Sequence, residues 1–263
     1  MNIPAVLVAA GRVSLSELRT IYTFTAFVAA VILRLGFLVV FFWLLARSIG
    51  GGEYAAHVLL GNGVALIAAE TLQVSNTAVL EQTRGTIPHM VASRVRVGTV
   101  FLTRGLHWAL TGLVAALIVL LGSTLLDDAN WTPLDVLAFS PILILITIST
   151  YVFGVTSGAI SVLYIKSRGI VSSTAFFALV AFTGVNVAVE QWPQWVENVA
   201  AVLPLRWGLA AVRGVVNEVP ADVIAGYVVR EAVVAGLWIA VAIIVMNVLT
   251  ERGRHLGTLD RVA

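Results

Sequence analysis

Long apolar runs alternate along this chain with short polar breaks, and the runs are too long to be strands of a soluble core. Crossing a hydrocarbon layer of about 30 Å as a helix takes roughly 20 mostly apolar residues. Six stretches meet that need: Ile21 to Ala46, Val58 to Leu80, Gly105 to Leu126, Leu134 to Leu163, Ile170 to Val189, and Ala232 to Leu249. The first is longer than one crossing requires, too short for two, and carries Arg34 near its middle. Its pattern predicts an amphipathic elbow lying partly along the interface from Ser14 to about Leu33, with the chain turning near Arg34 and Gly36 into a tilted crossing. One long tilted helix with Arg34 facing the interior is the alternative. The fold class expected is an all-α polytopic membrane protein of six transmembrane helices in a single domain. Residues 1–33 form the elbow region, 34–189 hold spans one to five, 190–230 an outer segment, 231–250 the sixth span and 251–263 a tail.

Two segments break the up-and-down pattern. Between the second and third spans, Glu81 to Arg104 contains Gly85-Thr86-Ile87-Pro88-His89-Met90-Val91-Ala92-Ser93. This predicts a short helix lying across the membrane face, with Gly85 and Thr86 at its start and Pro88 tolerated in the first turn. Before the last span, Glu190 to Arg230 holds Trp195, Val199, Val202 and Leu203, then Pro204, then Trp207, Leu209, Ala211, Val212, Val215 and Val216. Two helical patches of about a dozen residues, each about 18 Å long at 1.5 Å per residue, are too short to span. They predict a re-entrant helical hairpin, with backbone breaks buried in protein or lining a cavity. Its gate residues are Trp195, Leu203, Pro204, Trp207 and Arg213.

Composition agrees with the pattern: 59% hydrophobic residues, 11% charged and a mean hydropathy of +0.98 lie outside soluble values. With 16 basic against 14 acidic residues, the pI near 9.3 reflects a small surplus. That is no basic stripe for neutralising phosphates, so nucleic acid is not an expected partner. The absence of cysteine excludes disulfide scaffolds, thiolate metal sites and cysteine nucleophiles. Met1 to Ala10 lacks a basic n-region and no small-residue cleavage site follows, so no removable signal peptide is expected.

Orientation follows from Lys and Arg in short loops. Placing both termini in the cytoplasm puts twelve of the sixteen basic residues inside, leaving Arg47, Arg206, Arg213 and Arg230 outside. Trp43, Trp131, Trp192 and Trp195 then fall at outer helix ends, at headgroup level. The expected location is the cell membrane of a prokaryote.

Chemistry of its own is hard to find. Gly154-Val-Thr-Ser157-Gly158 has one residue too many for an intramembrane serine-protease motif, and its small residues suit helix packing. His57, His89, His107 and His255 lack the spacing and carboxylate neighbours of a metal site. The single lysine, Lys166, follows no glycine-rich turn, so the chain has no P-loop and is not expected to hydrolyse ATP or to act as an enzyme by itself.

Two stretches carry a resemblance. Glu81-Gln-Thr-Arg84-Gly85-Thr86-Ile87 looks like an "E-x-x-x-G-T" start of a coupling helix. Pro193-Gln-Trp195 through Leu203-Pro204-Leu205-Arg206-Trp207 to Arg213 looks like a "P-x-W…LP-L…R" outer hairpin before a last span. In these places, and with six spans, the chain resembles over nearly its whole length the permease subunits of type-2 ATP-binding-cassette (ABC) exporters. It departs from that pattern at Pro88. The resemblance implies two cytoplasmic ABC ATPase subunits, which bind the ATP and Mg, and a second permease, identical or homologous. It implies export of lipids, drugs, antibiotics or cell-surface glycans; the short cytoplasmic elements favour a lipophilic small molecule. No cofactor or metal is expected on this chain. Ile87, Met90 and Val91 would fill a groove on the ATPase, with Glu81, Arg84, Gly85 and Thr86 shaping the lever. The arginines there also satisfy the positive-inside rule.

Glu70, Gln73 and Asn76 recur every third residue in the second span and so share a face. A carboxylate at mid-membrane needs a reason. Glu70 either lines a wet cavity that meets cargo or hydrogen-bonds a neighbouring helix, for instance one carrying Asn186. Were the protein an ion-coupled secondary transporter instead, Glu70 would carry the proton, but no inverted repeat is evident.

Overall fold

A computed structural model describes residues 24–77, 105–126, 128–163 and 168–256, which are helical wherever they are regular. The elements are α1 (Phe24–Thr71), α2 (Leu106–Ser123), α3 (Pro133–Leu163), α4 (Arg168–Phe182), a short 3-10 turn (Val189–Gln191), α5 (Gln194–Val202), α6 (Arg206–Val216) and α7 (Ala221–Leu256). Among the described residues, four helical stretches are long and apolar enough to cross a bilayer, or five if the bent pair α5–α6 makes one span. The protein is an all-helical, membrane-embedded chain.

A straight helix of the 48 residues in α1 would be about 72 Å long, more than twice the hydrocarbon thickness. It is not straight. Gly51 sits at φ 75°, ψ −166°, a region that side-chain-bearing residues avoid. Before and after it the same helix packs on itself: Ala46 clusters with Ala55 and Val58, beside Phe42, Trp43 and Tyr54. Further away, Leu38 and Val39 reach the cluster of Leu66, Ala115 and Val119. The chain therefore doubles back at Gly51. Asp128, from the loop after α2, holds the reversal. It accepts from Trp43 Nε1 at 2.6 Å, pairs with Arg47 at 3.3 Å, and lies so close to Gly52 that a Cβ there would be 2.9 Å from its Oδ1.

This corrects the expected turn near Arg34 and Gly36, where the backbone is helical throughout. A lone glycine costs a helix only about 1 kcal/mol, which flanking apolar turns override. The run Gly50-Gly51-Gly52 is the stronger breaker. Residues 24–33, assigned to the elbow, belong to α1, and the rest of the elbow lies outside the described residues.

The expected third and fourth spans coincide with α2 and α3 to within a few residues. The fifth does not reach Val189. Helix α4 ends at Phe182, where the Thr183 hydroxyl returns to Leu179 O at 2.6 Å and Gly184 takes φ 87°. The sixth begins at Ala221 instead of Ala232, just after Pro220 and with Asp222 in its first turn. Hydropathy misses this start because Asp222, Arg230 and Glu231 dilute the apolar signal, yet Ile224, Tyr227 and Val228 pack on the core.

The densest packing joins α1 with α2 and α3 with α7. Where lipid surrounds a helix pair, association rests on close van der Waals contact and hydrogen bonds more than on hydrophobic burial. The sequence supplies both. Main-chain oxygens of Ile67 and Thr71 lie within about 3 Å of where Cβ atoms on Gly112 and Gly154 would stand, so α2 and α3 approach α1 backbone to backbone. Between helices, the Ser75 hydroxyl just after α1 shares a hydrogen bond with Ser172 of α4, and the Ser149 hydroxyl of α3 donates to Glu231 of α7. Phe139, Leu143 and Ile146 of α3 fill the centre with Ile67, Leu120, Leu179 and Leu209. Phe37, Ile170, Phe177 and Val233 point outward, as lipid-facing residues do.

Candidate functional site

The polar interior gathers at the two ends of α6, an eleven-residue helix bent by 96° from α5. Pro204 follows Leu203, the last residue of the α5 end, and both are buried. Leu205 then turns the chain at φ 82°.

At the start of α6 is Glu231, a carboxylate of α7 with no solvent exposure. Oε1 accepts from Leu205 N at 3.0 Å and from the Ser149 hydroxyl of α3 at 2.5 Å, and Oε2 accepts from Gly208 N at 2.9 Å. A helix begins with main-chain N–H groups that lack intrahelical partners and with a partial positive charge. Here a residue on another helix supplies the cap that a neighbouring side chain usually supplies. The approach demands a glycine: a Cβ at Gly208 would collide with Ile146 and stand 3.5 Å from the Glu231 carboxyl carbon. One carboxylate thus ties α6 to both α3 and α7.

At the far end of α6 is Arg213. Its NH1 donates to Gly184 O at 2.8 Å, and its NH2 donates to Val185 O at 3.1 Å and His57 O at 3.3 Å. The first two carbonyls belong to the turn that follows α4, where helix C-termini leave acceptors unmatched. The guanidinium therefore clamps that turn to the second limb of α1. Beside it Asn62 Nδ2 donates to Asn186 Oδ1 at 2.8 Å. Arg213 Nε and His57 Nε2 are buried without a hydrogen-bond partner among the described residues.

A cavity of about 270 Å³ opens beside this clamp, lined by Glu53, Ala56, His57, Leu60, Asn130, Arg213, Val216 and Asn217. Nearby, Arg206 pairs with Glu190 at 2.8 Å, and Trp207 lies under both Arg206 and Arg230, with ring-to-guanidinium distances of 5.2 and 4.6 Å. Burial acts to raise the Glu190 pKa, but its own main-chain hydrogen bond and the Arg206 guanidinium prevail and hold it below the ordinary carboxylate value. The sign follows: a lowered folded-state pKa adds stability above the unfolded value, and this is lost as pH falls through the folded one. Acidifying from about pH 6 to about pH 3 should therefore lower the melting temperature of the natural protein slightly more than that of Glu190→Gln. The carboxylate is 72% exposed, so the difference is small. Parallel melting curves falling by the same amount would show that the pair contributes nothing.

Of the residues expected to share a face in the second span, Gln73 and Asn76 are joined to each other toward the exposed end, and Glu70 lies deeper. Glu70 is buried against Gly112 of α2, with their Cβ positions 3.2 Å apart. Helix α1 ends at Thr71, and tighter turns follow, with Gln73 N bonding Glu70 O. Asn76 Nδ2 then reaches Gln73 Oε1 at the exposed end. Asn186, offered as a partner for Glu70, instead bonds Asn62, because the turn after α4 meets α1 two helical turns earlier. Trp131, expected in the interfacial belt, is buried and donates to Leu120 O, so its indole is a core residue. Trp43, through Asp128, is only partly exposed, while Trp192 and Trp195 are exposed. Glu81, Arg84, Gly85, Thr86, Ile87, Met90 and Val91, expected to form a coupling helix, lie outside the described residues.

Sequence reading missed Glu231 and Ser149. The signal was present: with the helix beginning after Pro220, Glu231 lies ten residues in, about 15 Å from its start. A carboxylate at that depth needs a partner. Among the described residues, no three His, Cys, Asp or Glu side chains converge as a metal site. Compared with known family models and with curated proteins, the sequence matches none.

Proposed function

We propose that this chain is the membrane-spanning permease subunit of an ATP-driven exporter, working with a second permease and two separate cytoplasmic ATP-binding-cassette subunits. In this reading there are six passes, made by the two limbs of α1, by α2 and α3, by the short α4 of 15 residues and by α7, and both termini lie on the side rich in Lys and Arg. The observation that carries the reading is the bent pair α5–α6 placed immediately before the last long helix. It is fixed at one end by Glu231 and at the other by Arg213. Such a pair makes a wall or lid whose movement is coupled to α3 and α7, the kind of rigid-body shift that ATP-driven closure of partner subunits transmits. The cargo is a lipophilic small molecule, and the ATP and Mg sit on the partner subunits.

In this reading Glu81 to Val91 is the lever that docks the ATPase. Ile87→Asp or Met90→Asp would put an unpaired charge into an apolar groove, at a cost of about 4 kcal/mol, or about a thousandfold in affinity. Neither variant should copurify with a soluble P-loop protein or support ATP-stimulated export, while each retains the melting temperature of the natural chain. Retained copurification and stimulated turnover in both would remove the assignment. Uptake driven by a pH gradient in proteoliposomes without ATP would replace it with ion-coupled transport through Glu70.

A further inference from the structure

The cavity beside Arg213 has a composition that neither the cap nor the clamp explains. Glu53 follows the reversal at Gly51 and is exposed, and it makes no hydrogen bond or ion pair among the described residues. Arg213 stands on the same wall, and its three hydrogen bonds all go to neutral main-chain carbonyls. The cavity thus presents a carboxylate and a guanidinium that do not pair with each other. His57 lies on the same wall as Arg213. At the rim the exposed amides of Asn130 and Asn217 can donate or accept. Only Ala56, Leu60 and Val216 are apolar, so an extended lipophilic molecule has little to bury there.

We infer that this cavity is a binding site for a small zwitterion. Its ammonium faces Glu53, and its phosphate or carboxylate faces Arg213 and His57. About 270 Å³ is the liquid volume of roughly nine waters at about 30 Å³ each, which suits a ligand of about that many heavy atoms. A free amino-phosphate and the headgroup of an aminophospholipid share this chemistry. The site does not depend on coupling to an ATPase, and its test leaves the transport reading untouched.

The experiment uses the full chain in phosphatidylglycerol nanodiscs, whose headgroup has no ammonium, titrated with O-phosphoethanolamine by calorimetry. Binding is expected, weakened about tenfold or more both by Glu53→Gln and by acetylating the amine of the probe, since each removes one half of an ion pair. Glu53→Gln should leave the melting temperature unchanged, because Glu53 holds nothing else. The second arm replaces the lipid with phosphatidylethanolamine. If the headgroup is the natural occupant, that lipid raises the melting temperature of the natural chain but not of Glu53→Gln, and it abolishes binding of the free probe. If the free compound is the occupant, the probe still binds. The inference is overturned if neither the probe nor the lipid has an effect, or if inorganic phosphate and the acetylated probe bind as tightly as the amine. It is equally overturned if Glu53→Gln changes nothing.

Discussion

Glu231→Ala is expected to destabilise the folded chain by about 3 kcal/mol. The substitution strips an acceptor from Leu205 N and Gly208 N at once, and each main-chain donor left unmatched away from water costs about 1–3 kcal/mol. Ser149 suffers less. Its hydroxyl already reaches Ile146 O at 3.0 Å and can fall back on that bond, so Ser149→Ala should cost about 1 kcal/mol or less. The double variant should then be little worse than Glu231→Ala, because the hydroxyl no longer has a carboxylate to lose. Glu231→Gln keeps the shape but turns an amide N–H₂ toward donors, so its stability should lie between those of the natural protein and the alanine variant. Thermal unfolding in detergent or nanodiscs measures the natural chain and all four variants. A melting temperature for Glu231→Ala equal to that of the natural chain would show that α6 needs no cap from α7. If α6 is a wall of the export route, the alanine variant should also lose transport while still binding its ATPase partner.

Arg213→Leu should cost about 2–3 kcal/mol and loosen the turn after α4. One guanidinium serves the carbonyls of Gly184, Val185 and His57, and its fixed fork meets the first two in parallel. Leucine leaves three acceptors on the far side of a tight contact. It also leaves Gly61, whose Cβ position would clash with Val185 O, packed against a turn that the Asn62–Asn186 hydrogen bond still ties to α1. Lysine retains the charge without the fork, so Arg213→Lys should recover less than half of the loss. Hydrogen exchange across residues 183–192, compared among the three proteins, localises the effect. Full recovery by lysine would mean that charge near the turn matters and bidentate geometry does not.

Membrane residence, all-helical class and the positions of α2 and α3 were legible in the sequence, because hydrocarbon imposes a length and an apolar composition that a single segment must satisfy alone. The bent pair α5–α6 was legible for a similar local reason: two short apolar patches flank Pro204, which has no N–H to continue a helix. Other features were not local. The reversal at Gly51 depends on Asp128, far along the chain, bonding Trp43 and Arg47 before the turn and packing on Gly52 after it. Hydropathy dated the last helix eleven residues late, since a charge counts against a span whether or not another helix satisfies it. Glu231 shows why. Its burial is tolerable only because the start of α6 and Ser149 of α3 meet it in space, and no window of sequence contains all three. The chain's own composition determined that it lies in a membrane and where most helices run. Which polar groups could be buried there was decided only when the helices came together, because a buried polar group costs free energy unless a partner from elsewhere in the fold satisfies it.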